Sequence, residues 1–140
     1  AETPLLRLTD LLSVTGFDAA ILQRLEPFVV VIPLTPEAPA ATLVNINTAP
    51  AEVIAAMVPT LDLAVARRFV VRRERTFFRD LNEASLQLDG QPVLPPVLLS
   101  VGSSYFMLRG MVRFDRVEVT SETLLVRTSG KVDIVWQQRL

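Results

Sequence analysis

The spacing of hydrophobic residues changes once along this chain. From residue 5 to about residue 90, apolar residues recur every three or four positions, as they do in amphipathic helices. From residue 104 onward they alternate with polar residues, which is the period of strands. The pattern predicts an α+β fold, in which a helical domain over residues 1–90 precedes a small antiparallel β-sheet over residues 101–140.

Two helix-turn-helix units are expected in the helical domain. The first covers residues 5–26 and is interrupted at Gly16, which stands where a helix C-cap requires a left-handed residue. Asp18 is expected to cap the helix that follows. Beyond it, Pro33, Pro36 and Pro39 exclude a helix and predict an extended step followed by a loop.

The second unit covers residues 48–88 and opens with the stretch LVNINTAPAEVIAAM. Thr48 is the predicted N-cap, with Pro50 in the first turn, where no amide donor is needed. Asn45 and Asn47 are expected to bond the neighbouring backbone and fix the turn. Helices are predicted over about residues 49–58, 63–74 and 80–88, the last beginning at a capping box of Asp80 and Glu83.

A proline-rich link over residues 91–100 separates the helices from the predicted sheet. The sheet reads as a three-stranded meander over residues 104–114, 117–128 and 131–140, with turns at Asp115-Arg116 and Ser129-Gly130. Trp136 is interpreted as a core anchor of its last strand. A sheet of this size needs another element packed on its apolar face.

Composition excludes several classes of chemistry. The chain contains neither cysteine nor histidine, so thiolate nucleophiles, Ser-His-Asp catalysis and the common zinc sites are ruled out. A metal would require oxygen ligands alone, and Asp115, Glu118, Glu122 and Asp133 are the carboxylates in or beside the meander. Charge is balanced at a net −1, and no apolar run approaches the length of a membrane span. An enzyme is therefore the least favoured class.

One alternative function is nucleic-acid binding by a helix-hairpin-helix module. Residues 45–49 are similar to the opening of hairpin domains in DNA-uptake receptors, which hold phosphate on a glycine-containing hairpin. Here the hairpin, residues 58–63, has no glycine and carries Asp62, which disfavours a phosphate.

The arginines after this hairpin allow two interpretations. Arg68, Arg72, Arg75 and Arg79 form a basic stripe if the helix continues that far, and such a stripe contacts phosphate backbones in some proteins. Residues 49–88 nevertheless carry only a net +1, from six arginines and five acids. A solvated face is therefore the favoured interpretation, with ion pairs expected between Arg73 and Glu74 and between Arg67 and Asp62.

The order of these parts resembles a known family. The stretches LLSVTGFDAAILQRLEPFVVVIP, VNINTAPAEVIAAM, YFMLRGMVRF and VDIVWQQR together are similar to the C-terminal part of the K-class minor pseudopilins of bacterial type II secretion systems. The resemblance implies a pilin-type sheet preceded by an inserted helical domain of the SAM-like or helix-hairpin-helix type. Nearly the whole chain takes part in it.

The resemblance also implies a function. It predicts a non-enzymatic protein at the tip of the pseudopilus, which initiates or caps the filament together with I-class and J-class minor pseudopilins and other pseudopilins. It implies a periplasmic domain, tied to the inner membrane only through an N-terminal helix that we expect to lie outside this chain, and no nucleic-acid partner. The family is associated with calcium, whose ligands the resemblance does not assign.

Overall fold

The computed structural model describes residues 5–33 and 42–140. The chain divides into two compact units, Ala1–Gly102 and Ser103–Leu140. The division falls after Gly102, and the predicted proline-rich link of residues 91–100 lies inside the first unit. Leu94 and Leu99 of that segment are buried in the helical core. The segment therefore belongs to the first unit and is not a linker between the helices and the sheet.

The first helical segment is shorter and looser than the sequence predicted. A 3₁₀ helix, Leu8–Ser13, replaces the expected first α-helix, and α1, Ala19–Leu25, runs into a second 3₁₀ turn, Glu26–Phe28. Gly16 has a φ of +97°, and the Asp18 side chain accepts from Ile21 N at 2.8 Å. None of these helical residues is fully buried, so tertiary packing contributes little stability to a longer helix here. Of the loop predicted after Pro33, residues 34–41 lie outside the described residues.

Three further helices form the centre of the first unit. They are α2, Ala51–Met57; α3, Leu63–Arg73; and α4, Leu81–Leu86. Asp62 begins α3 by accepting from Val65 N at 2.8 Å. Asp80 caps α4 as predicted, accepting from Glu83 N at 2.8 Å. The predicted capping box is incomplete, because the Glu83 carboxylate accepts from Arg79 N at 2.8 Å and not from Asp80 N.

A short parallel strand pair joins the beginning and end of this helical region. Strand β1, Val44–Asn45, pairs with β2, Leu99–Ser100. Ile46 N donates to Ser100 O at 2.8 Å, which extends the pairing beyond β1. The sequence does not predict this pair, because two-residue strands are too short to show an alternating pattern.

Among the described residues, the buried core cluster of the first unit lies between residues 46 and 99, with the partly buried Val44 and Val101 packed against it. Its largest fully buried side chains include Ile46, Ile54 and Phe69. Phe69 of α3 stacks on Phe78, with ring centroids 5.2 Å apart. The helices therefore pack around buried residues next to the strand pair, such as Ile46 after β1 and Leu94 before β2.

The second unit is a regular antiparallel meander. Its strands are β3, Tyr105–Phe114; β4, Val117–Thr128; and β5, Lys131–Arg139, paired in the order β3-β4-β5. Both tight turns use left-handed residues, with φ of +51° at Asp115 and +47° and +83° at Ser129 and Gly130. The register shifts between Leu124 and Leu125, whose partners are Trp136 and Ile134, so Val135 is the extra residue.

One face of this sheet is apolar and exposed. Residues directly opposite in the register share a face, and one face therefore collects the apolar residues Phe106, Leu108, Val112, Phe114, Val117, Val119, Leu125, Val132 and Ile134. We call this set the apolar face. All of its members except Leu125 are exposed, which is unusual for so many large apolar side chains.

We expect Phe69→Ala to cost about 3–5 kcal/mol of unfolding free energy, because it removes a fully buried ring and its stacking on Phe78. Val71→Ala, on the exposed side of the same helix, is the control and should change the unfolding free energy by less than about 0.5 kcal/mol. Urea denaturation followed by helical circular dichroism measures both. Similar losses for the two variants would contradict the assignment of the core.

Candidate functional site

Asn47 connects three separate parts of the first unit through its side-chain amide. Its Oδ1 accepts from Phe78 N at 2.8 Å, and its Nδ2 donates to Phe78 O at 2.8 Å and to Val101 O at 3.1 Å. We call these three residues the Asn47 cluster. Because Phe78 and Val101 follow Asn47 by 31 and 54 positions, this single amide fixes the ends of the helical region to each other. The sequence predicted only a local turn for Asn47.

The neighbours of Asn47 act locally. Asn45 Oδ1 accepts from Asn47 N at 2.9 Å, which is the kind of turn bond expected for an Asn in this position. Thr48 is not the N-cap of α2: its hydroxyl lies 3.5 Å from Asn45 O, at the limit of a hydrogen bond. The N-cap position belongs to Pro50, whose ring offers no capping oxygen, and the helix begins at Ala51. The turn through residues 46–48 therefore delays the helix by two residues.

Arg73 ties the C-terminal end of α3 to the same turn. Its Nη1 donates to Ile46 O at 2.7 Å, next to the Asn47 cluster. Partial burial lowers the pKa of the Arg73 guanidinium, with the nearby Glu74 carboxylate acting in the opposite direction. The carbonyl of the turn therefore has a charge-assisted partner.

The hairpin between α2 and α3 does not present a free helix start to an anion. Asp62 Oδ1 accepts from Val65 N at 2.8 Å, so the carboxylate already occupies the position that a phosphate would take at this helix start. Residues 58–63 also contain no glycine, which would let the backbone approach a phosphate closely. The geometry therefore agrees with the sequence in disfavouring a phosphate at this hairpin.

The arginines on the exposed side of α3 are paired with acids. Asp89 contacts both Arg68, at 3.1 Å, and Arg72, at 3.4 Å, and these bonds lower the pKa of the Asp89 carboxyl, that to Arg68 most strongly. Arg67 pairs with Glu52 at 3.4 Å, not with Asp62 as the sequence predicted. The expected Arg73 and Glu74 pair is likewise replaced by the bond of Arg73 to Ile46 O. These charges form a solvated, internally neutralised face.

The carboxylates of the meander are separated. Glu122 accepts from Arg109 and from Gln138, the latter at 3.1 Å, and hydrogen bonds from Arg109 and then Gln138 lower the pKa of the Glu122 carboxyl. Asp133 pairs with Lys131 at 2.9 Å. Within residues 5–33 and 42–140, no group of three or more acidic side chains is placed to hold a metal ion. Calcium association stays a prediction from the resemblance.

The remaining predicted residues lie apart from these contacts. Gly16 is in the turn before α1, where a Cβ would meet no atom, so its positive φ alone favours glycine. Trp136 pairs with Leu124 across β4 and β5 and is only half-buried. It is therefore not the core anchor that the sequence predicted, because a three-stranded sheet alone is too thin to enclose an indole.

The helical region has a counterpart among known protein families. Residues 44–102 match the family model of the type II secretion system (T2SS), protein K. This range coincides with the region that β1, β2 and the Asn47 cluster close. A search against curated proteins gives no match.

A solved structure identifies the particular fold. The chain is similar to a chain of the GspK-GspI-GspJ complex from the type 2 secretion system of enterotoxigenic Escherichia coli, with a TM-score of 0.74 and 24% sequence identity. The match covers 98% of this chain and 49% of that chain. The α+β fold is therefore confirmed, and with it the resemblance to the K-class minor pseudopilins. Neither match supports nucleic-acid binding.

This chain spans about half the length of the solved chain that it matches, 49%. Among the described residues, the structure contains no helix of the length and apolarity that crossing a membrane requires.

We expect Asn47→Ala to lower the unfolding free energy of the first unit by about 2–3 kcal/mol, because it leaves part-buried backbone groups of Phe78 and Val101 without partners. Thr48→Ala is the control. It should cost less than about 0.5 kcal/mol, whereas a true N-cap threonine would cost about 1 kcal/mol. Urea denaturation followed by helical circular dichroism separates these values. A larger loss for Thr48→Ala than for Asn47→Ala would contradict the roles assigned to these two side chains.

The stability of the sheet should fall as pH decreases through the acidic range. Since the folded pKa of Glu122 is lowered, the unfolded chain binds the proton first. The stabilisation is fully present above the unfolded pKa of about 4.3 and is lost as the pH falls through the lower pKa of the folded state. Glu122→Gln should flatten this dependence between about pH 5 and pH 3. Trp136 is the one tryptophan and lies in β5, so its fluorescence reports unfolding of the sheet.

Arg109→Gln is the matched variant for this experiment. It should flatten the pH dependence in the same way, because it removes the guanidinium that contributes most to the lowered pKa. If the unfolding free energy of Glu122→Gln fell with decreasing pH as steeply as that of the unchanged protein, another carboxylate would be responsible for the pH dependence.

Proposed function

We propose that this chain is part of a K-class minor pseudopilin, which sits at the tip of the periplasmic pseudopilus of a type II secretion system and initiates or caps the filament for protein export. The observation that supports this most directly is the structural match over 98% of the chain to a chain of the GspK-GspI-GspJ complex. The family match over residues 44–102 agrees with it. The proposed partners are accordingly I-class and J-class minor pseudopilins and the other pseudopilins of the filament.

We infer that the protein acts through contacts and not through catalysis. The absence of cysteine and histidine from the chain removes the most common nucleophiles and general bases. The charged clusters of the described residues are ion pairs on exposed surfaces, as with Asp89 and its two arginines. Such exposed ion pairs are typical of a solvated surface and do not activate a reacting group.

The proposed location is the periplasm, with attachment to the inner membrane through an N-terminal helix, as the resemblance implies. The family match supports a component of the secretion system.

We assign the apolar face of the sheet to packing within the assembled pseudopilus. Val112 and Phe114 are 69% and 82% exposed, and neighbouring positions on β4 are also apolar. Water is an unfavourable environment for a surface of this size, and burying it in an assembly would contribute favourable free energy. The opposite face is more polar: it carries the Arg109, Glu122 and Gln138 contacts beside the exposed Met107 and Met111.

Co-purification with the soluble domains of I-class and J-class minor pseudopilins tests the proposal. We expect the unchanged chain to be retained. The double variant Val112→Ser with Phe114→Ser should be retained at least about tenfold less, because burying each apolar side chain fully contributes about 1.5–3 kcal/mol of binding free energy. Met111→Ser is the control, since Met111 is 66% exposed on the opposite face.

The outcome against the proposal is also defined. If the I-class and J-class domains bind each other but neither retains this chain, the tip function is wrong. If all three bind and the double variant is retained fully, the function stands and the assignment of the apolar face is wrong.

A further inference from the structure

The sequence contains a single Asp-Gly dipeptide, Asp89-Gly90, and it lies in an exposed turn after α4. Gln91 N donates to Leu88 O at 3.0 Å and closes this turn. Gly90 and Gln91 both have left-handed backbone angles, with φ of +81° and +46°. Because Leu88 and Leu94 are buried in the core, the turn is anchored on both sides while its tip faces the solvent.

Both groups of an intramolecular reaction are accessible at this dipeptide. Gly90 N donates no hydrogen bond to any described residue, and a Cβ at Gly90 would meet no atom within 4 Å. The Asp89 side chain is 50% exposed. A glycine after an aspartate places no side chain in the way when its nitrogen attacks the carboxyl carbon. The sterically least hindered dipeptide for this attack is therefore present, with its amide free.

Two arginines of α3 hold the Asp89 carboxylate. Its Oδ2 lies 3.1 Å from Arg68 Nη2 and its Oδ1 lies 3.4 Å from Arg72 Nη1, which also donates to Gln87 O at 2.6 Å. The hydrogen bond from Arg68 and then the charge of Arg72 lower the pKa of the Asp89 carboxyl. An ionised carboxylate is a poor electrophile, whereas a protonated carboxyl group loses water readily. The two arginines therefore oppose attack by the amide, because they keep the carboxylate ionised and fix its position.

We propose that Asp89 is a site of slow isomerisation to isoaspartate, which its pairs with Arg68 and Arg72 restrain. Gly90 N forms a bond to Asp89 Cγ, and the carboxyl OH leaves with the amide proton as water. The five-membered succinimide then takes up one water molecule. Addition at Cγ restores aspartate, and addition at the former backbone carbonyl gives isoaspartate, so the sum of the two steps consumes no reagent.

Isomerisation would change the contacts of the turn without changing its net charge. An isoaspartate adds one carbon to the backbone between the buried Leu88 and Leu94. Its carboxylate is attached directly to Cα and is displaced from the position that Arg68 and Arg72 contact. The modified turn would therefore lose its two ion pairs to α3. This inference concerns the helical unit alone and does not rest on the tip function proposed above.

Incubation of the whole chain at neutral pH in water enriched in heavy oxygen tests the proposal. Each passage through the succinimide incorporates one solvent oxygen, and mass spectrometry of a protease digest locates it, while electron-transfer fragmentation distinguishes isoaspartate from aspartate. Arg68→Gln with Arg72→Gln should form isoaspartate at residue 89 at least about threefold faster than the unchanged chain, because each unit of rise in pKa increases the protonated fraction about tenfold.

Matched variants show whether the effect is specific. Asp89→Glu keeps a carboxylate, but its ring would have six members and closes far more slowly, so neither label nor isomer should accumulate at this position. Arg24→Gln with Arg116→Gln makes the same change in net charge at two other exposed arginines and should leave the rate unchanged. Circular dichroism should show that all variants keep their helices, and the chain unfolded in urea is the positive control for detection.

Two results would overturn the proposal. If isoaspartate forms at residue 89 in urea but not in the folded double variant Arg68→Gln with Arg72→Gln, the turn itself prevents the reaction and the site is wrong. If this double variant and the unchanged chain react at the same rate, the restraint by the arginines is wrong. Co-purification with the I-class and J-class domains is unaffected by either result, so the two proposals are tested separately.

Discussion

The Asn47 amide is the contact on which the helical unit depends. It bonds the backbone at Phe78 and at Val101, so one side chain joins the turn before α2, the loop after α3 and the segment that follows β2. Arg73 adds a bond to the adjacent carbonyl of Ile46. These partners are backbone groups in a part-buried site. Leaving them unpaired would therefore cost more free energy of unfolding than a typical intramolecular hydrogen bond contributes. The Phe69 and Phe78 stack forms beside these bonds.

The hairpin between α2 and α3 separates this protein from the nucleic-acid-binding hairpins that its sequence partly resembles. A phosphate site at a helix start needs free amides and a local positive field. Here the Asp62 carboxylate occupies the helix-start amides by accepting from Val65 N. Asp89 neutralises Arg68 and Arg72, which would otherwise supply the positive field. The asparagine-rich stretch that resembles those hairpin domains holds the helical unit closed through the bonds of Asn47.

The sheet poses the opposite physical problem. The helical unit encloses a core, whereas the meander has Leu124 as its one fully buried large side chain among the described residues and leaves eight large apolar side chains of one face exposed. Three strands cannot enclose a core without a second layer. This is the physical reason for the proposal that the apolar face packs within an assembly.

The sequence by itself determined the elements whose cause is local. The period of apolar residues placed α2, α3 and the three long strands, and side-chain caps at Asp18 and Asp80 placed two helix starts, because both signals act within a few residues. Only the tertiary structure decided what depends on distant partners. Thr48 does not cap α2, and Asn47 forms hydrogen bonds to residues 31 and 54 positions away. Arg67 pairs with Glu52 and not with Asp62, and Trp136 is only half-buried. Periodicity and capping carry no information about such contacts, because the packing of the whole unit selects them.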